Sequence, residues 1–527
     1  MTTWARGVWI QGQNAFATRV EFTVMYGPNR WTLMNHFKTC RAIPVWLFAA
    51  FSGHALAGIL TVNVADDPAG SGSCPAACSL RQAIASAGSG DTLVFAPGLA
   101  SPITLGQGPL VVDKALTIQG PGAAKLTISA NNASQVLIVS DQASISGLTL
   151  ADGFITGSAG SNGADGTPGA AGVPGGSGGT GGPGGLAGGA CVQVANSGAL
   201  VLDHVAVRHC IAYGGSGGNG GNGGAGNLNP TDPPLSPGGA GGNSGAGGDA
   251  TGGAILVYGS LNLLNSSVVD GQAYGGAGGA GAAGGIGYSG SYVFGASGVS
   301  GAGGAASGGA VFVAAGSLRI TNSTIAGGSG TGGAGGAGVT TTQDVTQGGA
   351  GGDSAGGLIR VDASAALADL EFSTFTGGQV VGGSGGSGAG PPLVGPSGTA
   401  YGNAISAANT ITTLSIVVVD VQPGVSLCDG QVASAAGSVN LSEDSSCSGF
   451  TLQGTFAQLF HPLDVNATPW PGYLPLYHSA VIDAAATCQD LAAQTVANDQ
   501  HDTARPQGAG CDLGAIEADY LFVGDFE

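Results

Sequence analysis

The chain has 527 residues, 105 of them glycine, and is 43% hydrophobic but only 8% charged. Disordered chains pair low hydrophobicity with high charge, so this composition excludes simple disorder. A net charge of −19, from 12 Lys+Arg against 31 Asp+Glu, excludes nucleic acid and anionic membrane as partners, because both require a cationic footprint.

Residues 1–33 look like a mis-assigned upstream start. From Met34 the pattern changes: Lys38 and Arg41 form a basic start, Ile43 to Phe51 an apolar run, and Ala55-Leu56-Ala57 a small-x-small cleavage site. That order predicts a secretory signal peptide over 34–57. The apolar run falls short of the roughly 20 residues a spanning helix needs, and no other long run follows, so the mature chain is expected to carry no membrane span. Removing the leader takes Cys40 and leaves eight cysteines. An even number in an exported chain predicts disulfides. Proximity selects Cys74/Cys78, Cys191/Cys210, Cys428/Cys447 and Cys488/Cys511, although eight cysteines admit many other connectivities.

Residues 58–133 are expected to hold an N-terminal cap and the first coils. Ser79 can N-cap a short helix through Ala87 with Leu80, Ala83, Ile84 and Ala87 on one face. Over 134–425 the chain repeats. Stripped of their glycine tracts, units beginning at Ser134, Gly188, Gly252, Gly308, Gly356 and Gly402 share short β-rich runs alternating at period two. Stacked, they place Cys191, Ile255, Val311, Ile359 and Ile405 in one inward column. Gln193, Val257, Val313, Val361 and Ala407 follow two places on, with Gln193 out of character. Leu200 and Leu202, Leu261 and Leu263, and Leu318 and Ile320 supply a second inward pair. One unit cannot bury its apolar face alone, but neighbours about 4.8 Å apart can, which predicts an all-β parallel β-helix.

The GGA[IV] repeats with a following N-S-[ST] resemble polymorphic outer-membrane protein repeats, which implies right-handed, pectin-lyase-like coils. The stretch from Cys78 to Ile84, with Asp91 to Phe95 after it, is similar to the N-terminal signature of secreted bacterial β-helix proteins. Residues 426–527 are expected to form a C-terminal capping or anchor-like region. There Ser479 to Ala484 and Asp499 to Glu517 resemble a choice-of-anchor Q domain, with His501-Asp502 replacing a usual glycine. Asp499, Arg505 and Asp512 are expected to pair within it. The tail Leu521–Glu527 is similar to the tails of some secreted gammaproteobacterial proteins.

Glycine recurs every third residue at Gly214 to Gly226 and Gly239 to Gly248, and the beat returns at 157–184, 275–287, 327–336 and 382–388. A flexible linker has no reason to keep phase, whereas three residues per turn is the period of a polyproline-II rod. Hairpins of polyglycine-II-like rods stacked on one side of the β-helix are therefore expected, with tips at 227–237, 288–298 and 339–347. Disordered loops are the competing reading, since fixing glycine costs about 1–2 kcal/mol per residue.

Chemistry is sparse. The mature chain has seven basic residues, and only Arg360, beside Asp362, sits outward on a first strand, with no acid expected from neighbouring coils. His204 aligns with Asn265 and Asn322 as a turn ladder. The reading is an exported, surface-associated or secreted scaffold with adhesin-like binding through its loop tips, where Tyr288, Tyr292 and Phe294 form the aromatic cluster. Cell-surface glycans or surface proteins are the expected partners. No cofactor is expected, and calcium is left open by the acidic composition. The alternatives are a polysaccharide-degrading lyase or hydrolase and a purely structural envelope protein.

Overall fold

The computed structural model describes residues 57–519, except 69–73, 230, 232, 289, 342–343, 389–392, 420–423 and 463–470. The leader with Cys40 and the tail from Leu521 to Glu527 lie outside the described residues.

The chain forms a right-handed parallel β-helix. Each coil contributes one strand to each of three ladders. The first runs through Leu137–Val139, Val192–Val194, Ile255–Val257, Val311–Val313 and Ile359–Val361. The second runs through Gln142–Ser146, Ala199–Asp203, Ser260–Leu264, Gly316–Thr321 and Ala365–Glu371. The third joins Thr149–Ala151, Ala206–Tyr213, Ser267–Tyr274, Thr324–Ala326, Thr374–Thr376 and Val417–Val419. Alternate side chains point inward, so Leu200, Leu261 and Leu318 stack in register and are buried, as are Leu202, Leu263 and Ile320. Fully burying such a side chain contributes about 1.5–3 kcal/mol, which is why the stack and not the single coil is stable.

The first column differs from expectation by one residue. Val192, not Cys191, pairs with Ile255, and Val194 pairs with Val257, so Gln193 faces outward opposite Leu256. The register is set by a left-handed glycine that opens each coil: Gly189, Gly252, Gly308, Gly356 and Gly402 all have φ of 60–65°. A Cβ at Gly252 would lie 2.2 Å from the Ile255 carbonyl oxygen. Gly189 rather than Gly188 takes that place, which moves Cys191 to the level of Ala254. Gln193 then accepts a hydrogen bond from Gln135 Nε2 on the outer surface.

The N-S-[ST] signature also has a cause. The turn between the second and third ladders holds His204, Asn265 and Asn322 at φ of 46–54°, a conformation asparagine tolerates better than most residues. The serines that follow satisfy the turn backbone across coils: Val205 N–H donates to Ser266 Oγ, Ser266 N–H to Ser323 Oγ, and Ser323 N–H to Ser373 Oγ.

Both ends of the stack are covered. Helix Leu80–Ser86 is N-capped by Ser79 in a capping box with Gln82, and Leu80, Ala83 and Ile84 are buried. Arg81 ties this cap to the coils through Asp67 at 2.7 Å and the Pro109 carbonyl at 2.8 Å. At the other end Cys428–Ser434, Leu441–Ser442 and Thr451–Leu452 extend the ladders. The chain beyond Pro471 then runs back along the turn side. There Gly514 donates to the Ser415 carbonyl, Ala515 to Thr374 Oγ1, and Asn322 Nδ2 to the Asn498 carbonyl.

The glycine tracts are ordered rods. Each leaves after the third ladder and rejoins at a short sheet of Ala187–Gly188, Ala250–Thr251, Ala306–Ser307, Ser354–Ala355 and Ala400–Tyr401. Every third N–H donates to the outbound rod of the next coil: Gly157 to Tyr213, Gly160 to Ser216, Gly163 to Asn219 and Gly166 to Asn222. The following glycine bonds across to a return rod, as Gly215 does to Gly185 and Gly218 to Gly182. Outbound and return rods thus form two hydrogen-bonded layers beside the β-helix. Two expected details change. The 327–336 beat starts at a left-handed turn at Gly327 and passes through strand Ser329–Thr331 before the rod, and the tip expected at 288–298 is a hairpin of Ile286–Tyr288 and Tyr292–Phe294, with the return rod starting at Gly295.

Glycine is placed only where another rod approaches. The second outbound rod reads Gly-Gly-X, as in Gly217-Gly218-Asn219 and Gly220-Gly221-Asn222. The first rod of the stack has one glycine per triplet, and Ser158, Ser161, Ala164 and Thr167 occupy the place that Gly215, Gly218, Gly221 and Gly224 hold one coil on. The last return rod likewise carries Val394 and Ser397 where its neighbour has Gly348 and Gly351. Side chains at these two edges bar a further rod from adding, which limits edge-to-edge growth.

Candidate functional site

The aromatic residues expected at a tip lie together on the hairpin that ends the third insertion. Tyr288 pairs with Tyr292, and their rings meet edge to face with centroids 5.5 Å apart. Tyr292 is 66% exposed, while Tyr288 and Phe294 are half-buried. Neighbouring tips brace the hairpin: Tyr288 N–H donates to the Ser236 carbonyl at 3.0 Å and Ser297 N–H to Asp344 Oδ2 at 2.9 Å. The bond from Ser297 holds the Asp344 carboxyl below its ordinary range.

A groove runs beside the return rods over the outer face of the first ladder. Gln193, Leu256 and Phe312 form its floor, and Leu186, Asp249, Thr251 and Tyr258 its sides, around a cavity of about 270 Å³. Arg360 continues the floor column, since it pairs with Phe312. The next coil sets Ser406, not an acid, beside Arg360: Arg360 Nη1 donates to Ser406 Oγ, which donates to Asp429 Oδ2 at 3.0 Å. The spacing had hidden Asp429 because it stands one coil beyond the serine that connects it.

The Asp203-His204 cluster is a clamp between a turn and the C-terminal segment. His204 Nδ1 lies 2.8 Å from Asp203 Oδ1 and its Nε2 3.1 Å from Asp502 Oδ1. The hydrogen bond to Asp203 raises the His204 pKa above its ordinary 6.5, against burial and with help from Asp502. Burial alone would raise Asp203, but hydrogen bonds from His204 and Asn265 hold it below the ordinary carboxylate range. A raised histidine pKa stabilises the fold below about 6.5, and that stability is lost as pH rises through the folded-state value. The gap in melting temperature between wild type and His204→Asn is therefore expected to be widest near pH 5.5 and to close by pH 8.5, as thermal melts across that range would read.

A second cluster was not visible in the sequence. Arg319 faces Glu371 at 3.4 Å, Asp369 at 3.8 Å and Asp490 at 3.9 Å. Burial pushes both Asp369 and Glu371 up, more than the Arg319 charge lowers them. The Leu491 N–H, which approaches Glu371 Oε1 at 3.4 Å, shows that the C-terminal segment covers this site. In that segment Arg505 pairs with Glu517 at 2.9 Å. Asp499 and Asp512 instead accept backbone N–H groups, from Thr503 and Glu517 and from Asp483 and Ala518.

All four expected cysteine pairs are bonded: Cys74–Cys78, Cys191–Cys210, Cys428–Cys447 and Cys488–Cys511. Such bridges persist in oxidising compartments. Among the described residues no helix is long and apolar enough to cross a membrane, and no three acidic, histidine or cysteine side chains are grouped to hold a metal ion.

No protein-family model matches the chain, and no curated protein matches it. Among solved structures, the crystal structure of pectate lyase Pel9A is similar over 88% of this chain and 97% of that chain, at 12% identity and a TM-score of 0.30.

Proposed function

We propose that this chain is an exported, surface-associated or secreted β-helix scaffold that binds cell-surface glycans or proteins through its rod tips. The observation that carries the reading is the tip hairpin. A tyrosine pair, with Tyr292 exposed and Tyr288 half-buried beneath it, is held at the end of rods whose backbones are hydrogen-bonded at every third residue. Rigid aromatic anchors contribute contact area at low entropic cost, and pre-organised supports retain that advantage. The four disulfides favour an oxidising location, and the resemblance of the coils to polymorphic outer-membrane protein repeats favours the cell surface.

Glycan-array and whole-cell binding of wild type and of a Tyr288→Ala/Tyr292→Ala/Phe294→Ala variant test this reading. A loss of about tenfold or more in affinity is expected, the scale of one aromatic anchor. Equal binding by the two proteins would remove the tips from the account. Depolymerisation of a polyuronate by the wild-type preparation would replace binding with an enzymatic reading.

A further inference from the structure

The turns between the second and third ladders form one column along the stack. Ser146, Asp203, Leu264, Thr321, Glu371 and Leu414 pair in register, and the residues that follow them are Gly147, His204, Asn265, Asn322, Phe372 and Ser415. Each of these has a φ of 42–62°. Four of them hold the C-terminal segment. The Ser415 carbonyl accepts the Gly514 N–H, and the Phe372 ring centroid lies 5.0 Å from the Arg505 guanidinium. Asn322 Nδ2 donates to the Asn498 carbonyl, and His204 Nε2 faces Asp502 Oδ1. Within the column His204 alone has an ionisable side chain, and its contact is the last of the four toward the N-terminal coils.

Both ring nitrogens of His204 face carboxylate oxygens, Nδ1 at 2.8 Å from Asp203 Oδ1 and Nε2 at 3.1 Å from Asp502 Oδ1. A neutral imidazole has one N–H and turns a lone pair on one of the two acids, whereas an imidazolium donates to both. The contact is therefore complete only when the ring carries its second proton. Among the described residues, Asp203 on the strand and Asp502 on the segment are the charged groups that face the ring. The corresponding places one coil away hold Gly147 and Asn265. Asn265 Nδ2 donates to Asp203 Oδ1 at 2.9 Å, which keeps Asp203 in place whichever form the ring takes. The Asp502 side chain is 62% exposed, so water takes over its carboxylate once the ring is neutral.

We infer that His204 is a proton-operated latch: its imidazolium holds the turn 499–503 of the C-terminal segment onto the coils, and loss of the proton lets that turn open. The contacts at Asn322, Phe372 and Ser415 are made by an amide, carbonyls, an aromatic ring and a guanidinium, none of which titrates near neutral pH, so they stay closed. The hydrogen bond to Asp203 raises the His204 pKa above its ordinary 6.5, against burial, and Asp502 adds to the rise. The proton is thus bound more tightly with the segment docked, and the latch is shut below about pH 6.5 and released as pH rises through the docked value. A second group of acids lies on the same segment, where Arg319 faces Glu371, Asp369 and Asp490, but it meets the chain at Asp490 and not at the Asp502 turn.

Peptide-level amide exchange of the native protein from pH 6 to pH 9, corrected for the intrinsic pH dependence of exchange, reads the latch. Exchange over 498–505 is expected to quicken about threefold, the scale of one partly exposed ion pair, while strand Ala206–Tyr213 keeps its protection. His204→Asn suits the left-handed turn as Asn265 does. It is expected to open at pH 6 as far as wild type does at pH 9, and to show no pH slope. Asp502→Asn is expected to lose the slope with His204 intact, which separates the pair from any effect of residue 204 on the turn itself. A wild type without the slope overturns the inference. So does a folded His204→Asn that keeps it, which would move the proton to the acids around Arg319.

Discussion

Gly221→Val is expected to destabilise the rod bundle by about 3 kcal/mol, while Asn222→Val next to it stays within about 0.5 kcal/mol of wild type. Gly221 donates to the Gly179 carbonyl at 2.9 Å and accepts from Gly242 N–H at 2.8 Å. A Cβ there would sit 2.0 Å from the Ala164 carbonyl oxygen, and backbone cannot give way as a side chain does. The bundle contains its own calibration at Ala282, a β-carbon in a glycine place. There the bond from Ala282 N to Gly242 O is 3.3 Å, and that from Gly281 N to Ala337 O is 3.2 Å. One methyl group already stretches its surroundings, so a branched side chain exceeds what the spacing can absorb. Asn222 is in the outward phase and meets no such wall. Thermal unfolding and peptide-level amide exchange across 157–185 and 214–248 would read both variants.

Arg505→Ala is expected to cost about 3–5 kcal/mol, the usual loss when one partner of a buried ion pair is removed. The Arg505 side chain is fully buried. It donates to Glu517 Oε2 and to the Asp512 and Gly514 carbonyls, and its guanidinium lies 5.0 Å from the Phe372 ring centroid. Burial pushes the Glu517 carboxyl up even with Arg505 present, so without it a charged Glu517 is stranded. Protonated Glu517 needs no cation, so the deficit of the variant is largest near pH 7 and shrinks toward pH 4. Arg505→Lys restores only part, because a lysine cannot reproduce the forked donor geometry. Limited proteolysis of 471–519 and melting curves at both pH values check this.

Much of the fold was legible because its causes are local and repeated. Period-two alternation marks Leu200 and Leu202, and their counterparts in later coils repeat the pattern, so the stack can be read without seeing it. The glycine beat survives because a β-carbon fits a packed rod readily on its open face and elsewhere only with stretched bonds, as at Ala282. Register was harder. At Gly188-Gly189-Ala190-Cys191 two glycines compete for one left-handed position, and only φ decides that Gly189 holds it. The C-terminal segment was the least legible part. Asn322 meets Asn498, and Thr324 Oγ1 donates to Gln500 Oε1 at 2.6 Å, both across 176 residues, and no periodicity links such partners. The Arg319 cluster escaped notice for the same reason, since Asp490 arrives from that segment. The tip residues were found by composition, as an aromatic group in a glycine-rich tract, but their antiparallel pairing was not.

Amide hydrogen exchange of the glycine tracts in the native protein tests the central claim most directly. Bonds from Gly157 through Gly184 and from Gly214 through Gly248 predict that these amides exchange as slowly as those of strands Ala206–Tyr213 and Ser267–Tyr274. Exchange at the rate of an unstructured glycine peptide, with the strands still protected, would contradict it.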